Sequence, residues 1–154
     1  MILTTHIISG AALGANVQNT YAVAGLSVIL HFLLDLIPHG DYLNKKSRLR
    51  EFWKVAVDLA IGISIVVAVI SIRGETSNNV LIQNVGIGIF FSLLPDATTF
   101  FYIWMKMKFL KPVKDFHESL HRAENGSLER KFRFKNNLWD IILTLVFFLI
   151  FIFF

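Results

Sequence analysis

Residues 55–72 read VAVDLAIGISIVVAVISI, and Asp58 is the only charged side chain among them. An apolar run of this length crosses a bilayer core as a helix, which takes about 20 residues with a range near 17–25. Three further stretches meet the same criterion: Tyr21–Ile37, Val80–Met105 and Leu138–Phe154. A fifth, Ile2–Val17, is apolar but weaker, because it carries Thr4, Thr5, His6, Ser9 and Asn16. Its Gly10 and Gly14 stand one turn apart, a pair of small residues that lets another helix approach closely. A tight Gln18-Asn19 turn then pairs it with the second span. It does not read as a signal peptide, since no positively charged region precedes its apolar run.

The whole chain agrees with this start. Its 154 residues make one domain by the usual length prior. Charged residues are 17% of it, well under the roughly 25% of soluble globular chains, and the mean hydropathy is +0.59. These values exclude a disordered tail and most soluble enzymes. The absence of cysteine excludes a disulfide scaffold, and leaves His and carboxylate as the side chains able to hold a metal.

Cations set the orientation. Lys45, Lys46, Arg48, Arg50 and Lys54 follow the second span, and nine more Lys and Arg lie between Lys106 and Asn137. Only Arg73 lies in the third connection. With five alternating helices, every other cation faces one side, which is then cytosolic. The expected fold is therefore an all-α integral membrane protein of about five spans, with a cytosolic N-terminus. Tyr42, Trp53, Tyr102, Trp104 and Trp139 fall near the same boundary, as amphipathic rings should. The expected site is a membrane whose basic side is cytosolic, and the expected partner is the lipid bilayer. Nucleic acid is not expected, because the basic residues lack a soluble module to present them.

An interfacial helix is predicted over 112–124, from Pro112 at a first helical position to the Asn125-Gly126 stop. Val113, Phe116, Leu120 and Ala123 make an apolar stripe, beside a polar stripe of His117, His121 and Glu124.

Each strong span holds one Asp: Asp35, Asp58, Asp96 and Asp140. A carboxylate inside a bilayer costs at least about 2.5–3.5 kcal/mol on insertion scales, so such groups have partners. No Lys or Arg lies deep in any span, which points to a bound cation. His31 and Asp35 are four apart and share a helix face, His39 follows Pro38, and His117 and His121 are again four apart. Imidazole with carboxylate is a ligand set for zinc or a related divalent ion. Helix rise puts His6 and His31 both about 18 Å below the first turn, and Asp58 level with Asp96. With Asp35 one turn below His31, and His39, Asp41, His117 and His121 at the interface, nine candidate ligands fall in one layer. Asp140, near its helix start, reads instead as a partner of the helix dipole. Pro95 is expected to break its helix before Asp96, as helices lining membrane sites do.

The run HFLLDLIPHGD (31–41), LLPD ending at Asp96, FHESLHR (116–122) and THIISGAALG around His6 resemble the small bacterial membrane-bound metal-dependent hydrolases. That group is distantly similar to the zinc-dependent phospholipase C and P1 nuclease fold. The resemblance implies His6, His31, Asp35, His39, Asp58, Asp96, His117 and His121 as ligands of two or three zinc ions. The sequence departs from the pattern after His121-Arg122, where Ala123 and Glu124 stand instead of Gly and a later His-Ser pair.

Three functions follow as expectations. The first is hydrolysis of a phosphoester, with a phospholipid as one concrete substrate, by a metal-activated water at the inner-leaflet headgroup level. Asp41, Glu118 or Glu124 would take the water proton, and Arg122 would steady the phosphate. The second rests on His117-Glu118-x-x-His121, the HExxH pattern of zinc proteases, with Glu118 as base and Glu124 or Asp96 as third ligand. The third is a non-enzymatic metal-binding or transport protein, though the outer halves of the spans hold no charged relay.

Overall fold

The computed structural model describes residues 1–43, 47–120 and 131–154. Six helices account for most of them: α1 (Leu3–Asn16), α2 (Thr20–Asp35), α3 (Trp53–Ile72), α4 (Asn79–Trp104), α5 (Lys111–Leu120) and α6 (Leu138–Phe153). Short 3-10 turns, Leu49–Phe52 and Lys108–Leu110, lead into α3 and α5. No strand occurs among the described residues, apart from an isolated bridge between Asp41 and Lys131. The all-α expectation holds.

Helix α1 is the axis of the bundle. Ten of its fourteen residues are buried, and α2, α3, α4 and α6 all pack on it. Ile7, Ile8, Ala11 and Ala12 meet Val66 and Val69 of α3, Val85 of α4 and Phe151 of α6 in the apolar core. The small residues of α1 do what their spacing predicts, with a different neighbour as the closest. A Cβ at Gly10 would sit 2.5 Å from the Gly88 carbonyl oxygen, and one at Gly14 would run into the Asn84 backbone. The intimate crossing is thus α1 on α4, while the short turn after α1 merely brings α2 alongside.

Asn84 secures that turn. Its Nδ2 donates to the Val17 and Gln18 carbonyls at 3.2 Å each, and its Oδ1 accepts from the Thr20 hydroxyl at 2.8 Å. Helices α2 and α4 begin with Asn caps, Asn19 accepting from the Ala22 N–H and Asn78 from the Leu81 N–H. Gly74 takes φ +71° after α3, the left-handed stop that glycine permits. The adjacent Arg73 donates to the Phe151 carbonyl at 2.5 Å and so closes the far end of α6.

The polarity of the fold is inverted relative to a water-soluble bundle. Among the described residues, buried polar side chains outnumber buried apolar ones. In α3 only Gly62, Val66 and Val69 are buried, while Val67, Ile72, Phe90, Leu145, Leu149 and Phe153 are more than half exposed. Helix α5 obeys the same inversion. Its buried residues are Lys114 and His117, and its apolar Val113 and Phe116 face outward.

Three expectations change. Two helices, Arg50–Ile72 and Asn79–Trp104, are long and apolar enough to cross a membrane, whereas Thr20–Asp35 and Leu138–Phe153 are apolar but shorter. The 16 residues of α2 rise about 24 Å, because the helix ends at Asp35 ahead of Pro38. Pro95 does not break α4, which runs through it to Trp104. Proline removes its own N–H and crowds the carbonyl one turn earlier, a cost that the packing of α4 on α1 and α2 offsets. The expected stop at 125–126, with Ala123 and Glu124, lies outside the described residues.

Candidate metal centre

Five side chains from four helices converge beside the lower end of α1. His6 comes from α1, His31 and Asp35 from α2, Asp96 from α4 and His117 from α5. The last four offer ligand atoms that all lie within 4.8 Å of one another. Asp35 is the hub. Its Oδ2 is 2.9 Å from His31 Nε2 and 2.9 Å from His117 Nε2, and those two nitrogens are 3.2 Å apart. Asp96 Oδ1 stands 3.7 Å from His117 Nε2.

Hydrogen bonds on the outer side hold the rings in place. His31 Nδ1 lies 2.7 Å from the Ser92 carbonyl oxygen. A carbonyl only accepts, so Nδ1 donates, and Nε2 is the ring atom turned toward Asp35. His117 Nδ1 is anchored on Thr99 Oγ1 at 2.9 Å. Lone pairs and a carboxylate at these separations repel unless a positive charge lies between them. One proton serves a single contact, whereas a divalent ion serves all of them. Tetrahedral ligation at about 2.0–2.1 Å spaces ligand atoms about 3.3 Å apart, close to the separations seen here. The donor set fits a zinc-like ion.

The other oxygen of Asp35 opens a second group. Asp35 Oδ1 is 3.2 Å from His6 Nε2 and 3.2 Å from the Met1 ammonium. That ammonium is 3.5 Å from Asp41 Oδ1, which lies 3.4 Å from His39 Nε2. His39 Nδ1 is fixed by the Ile37 carbonyl at 2.7 Å, so its Nε2 is also directed inward. Burial disfavours the His39 cation, yet the Asp41 carboxylate beside it more than offsets that and raises its pKa. His6 is fully buried and stacked on His31 with ring centres 4.2 Å apart. Its Nε2 faces the Asp35 carboxylate, and its Nδ1 has no hydrogen-bond partner among the described residues. A buried ring nitrogen left without a partner is costly. Asp96 and Asp41 are the more accessible members, 30% and 29% exposed, so the centre opens on their side.

The surroundings are built to hold these groups still. Ser92 Oγ donates to the His6 carbonyl at 2.8 Å, tying α4 to α1 just where Ser92 also holds His31. Gly40 lets the His39–Asp41 segment press against Lys131 and Asn137, for a Cβ there would sit 2.7 Å from each of two oxygens. Asn137 Nδ2 bonds both the Gly40 carbonyl and Asp140 Oδ2.

Two expected participants are elsewhere. Asp58 accepts from the Leu3 N–H at 2.7 Å, the Thr4 N–H at 3.2 Å and the Tyr42 hydroxyl at 2.9 Å. Its carboxylate satisfies the start of α1 and is committed there, so its expected role as a ligand gives way to a helix cap. Asp140 sits in the first turn of α6, as its dipole role requires, and also accepts from the Ile2 N–H. Glu118 is held 2.6 Å from Lys114 Nζ on its own helix. Lys114 is buried and also bonds Asp115; burial works against its charge, but these carboxylates prevail and raise its pKa. His121, Arg122 and Glu124 lie outside the described residues.

The parts that sequence reasoning missed are Ser92, Thr99 and Asn137. Serine and threonine in apolar helices are common, and no spacing rule marks the ones that hold an imidazole. Compared with known families, curated proteins and solved structures, the chain matches none.

Proposed function

We propose that this protein is a membrane-embedded, metal-dependent hydrolase acting on a phosphoester at the inner-leaflet headgroup level of the bacterial cytoplasmic membrane. One observation carries the reading: two imidazole Nε2 atoms aimed at a single carboxylate oxygen, with Asp96 completing the set. The outward apolar surface and polar interior support the membrane setting. The five-span topology and the resemblance of the histidine and aspartate runs to membrane-bound hydrolases belong to the same proposal.

His31, His117, Asp35 and Asp96 would hold one divalent ion, while the other oxygen of Asp35 faces the Met1 ammonium, which also neighbours Asp41. Such ions, zinc foremost, lower the pKa of water toward neutrality and offset charge on phosphoryl oxygens. The protein's own part is orientation and proton handling. Ser92, Thr99 and Ile37 fix the imidazoles through their outer nitrogens. Asp41, partly exposed beside His39, accepts the proton of the attacking water as the new P–O bond forms. The ester P–O bond breaks and the leaving oxygen takes up a proton. No serine or cysteine nucleophile is required.

The protease reading needs the Glu118 carboxylate at the metal, and its pairing with Lys114 weighs against that. The test uses the purified full chain and bis(p-nitrophenyl) phosphate. Hydrolysis that stops with a chelator, returns with zinc and survives Glu118→Gln is the expected result. No chelator-sensitive hydrolysis of this or any phospholipid substrate would overturn the proposal. Peptide cleavage lost in Glu118→Gln would establish the protease instead.

A further inference from the structure

A groove of about 490 Å³ runs along the outer side of the metal centre, between α2, α4 and α5. Val28, Phe32, Leu94, Pro95, Val113 and Phe116 form its walls. Its one hydroxyl, that of Thr98, donates to the Pro95 carbonyl at 2.7 Å and is spent on its own helix. The lining therefore offers an occupant contact area and no hydrogen bonds.

The groove and the centre share a wall. The Phe32 ring lies edge-on to His31, His117 and Phe116, with ring centres 5.4, 5.9 and 5.0 Å away. Pro95 and Phe116, both lining residues, directly precede Asp96 and His117. Val113 and Phe116 are 41% and 53% exposed, so the groove opens sideways to the surroundings rather than into the bundle. Exposed Lys106 and Lys108 lie on the chain leading into α5, where an anionic headgroup finds positive charge.

The geometry points to a phospholipid acyl chain as the occupant, seated between α2, α4 and α5 with its phosphate turned to the His/Asp centre. The size of the groove suits a lipid chain. The groove is within the roughly 300–1,000 Å³ of small-molecule sites. This inference rests on the hydrolase reading for what happens at the phosphate, and on the groove alone for where the chain goes.

The full chain is reconstituted in phosphatidylglycerol/phosphatidylethanolamine vesicles with a trace of phospholipid bearing a mid-chain diazirine, irradiated, and mapped by mass spectrometry. Label at Val28, Leu94 and Val113 is expected to exceed label at the lipid-exposed Val67 of α3 by about tenfold, which corresponds to a preference of about 1.4 kcal/mol for the groove. Val113→Trp fills the groove from α5 and Val28→Trp from α2. Each is expected to abolish the excess, whereas Val67→Trp leaves it. Two independent fillers keep the result readable if one variant fails to fold. Equal label at groove and Val67, an excess that persists in a folded filler variant, or crosslinks to a second copy would overturn the lipid site. Labelling needs neither metal nor turnover. A labelled groove without hydrolysis would sink the activity and keep the lipid site; hydrolysis of bis(p-nitrophenyl) phosphate beside an unlabelled groove would do the reverse.

Discussion

Asp58 ends the backbone of α1. It accepts the Leu3 and Thr4 N–H groups, while Asp140 takes the Ile2 N–H and the Ile2 carbonyl takes that of Thr5. The orphan donors of a buried helix start are all satisfied, three of them by carboxylates from other helices. Replacing Asp58 with Ala removes acceptors from two amides, so a loss of about 2 kcal/mol or more is expected in chemical unfolding. The folded fraction is expected to keep its metal content, and loss of metal from it would return Asp58 to the ligands. Sequence spacing placed Asp58 and Asp96 at one depth, because rise along a helix is calculable. Rotation about the helix axis is set by packing, and it sends one carboxylate to a helix end and the other to the histidines. The pair His31 and Asp35 escaped this ambiguity, since four residues along one helix fix both rise and angle.

At the scale of elements, the α1–α4 crossing positions the centre. Gly10 and Gly14 bring α1 against Gly88 and Asn84, and the same approach lets Ser92 reach both the His6 carbonyl and the His31 ring. Gly88→Leu would drive a side chain into the Gly10 backbone. It is expected to cost at least about 3 kcal/mol and to separate His6 from Asp35. Circular dichroism on heating and metal content measure the two effects, and a variant as stable as the parent would mean the helices are not in backbone contact. The small-residue pair was legible from its spacing, but its partner was not, because chain order favours the neighbour in sequence over the neighbour in space. Pro95 shows the same limit. A local rule read it as a break, and the packing of α4 kept the helix whole.

For the molecule as a whole, the distribution of polarity matters more than any helix length. Composition and apolar runs disclosed that the outside would be greasy. The fall of Asp and His in one layer disclosed that the inside would be polar. The number of complete spans was less legible, because α2 ends at Asp35 and is short of the apolar run that contains it. On the proposed membrane reading, α3 carries the chain from the basic face to the Gly74 turn. The native chain has no cysteine, so single cysteines report sidedness directly. In sealed vesicles, Arg48→Cys is expected to react with an impermeant maleimide only from the cytosolic face, and Ser77→Cys only from the opposite face. Reaction of both from one side would contradict the topology.

The most direct test of the central idea, that buried histidines and carboxylates here exist to grip a divalent cation, is elemental analysis of the purified full chain beside a His31→Ala, Asp35→Ala double variant. The account predicts stoichiometric zinc or a related divalent metal in the native protein and its loss from the folded variant. A native protein free of such metal, or a variant that retains all of it, would contradict the account.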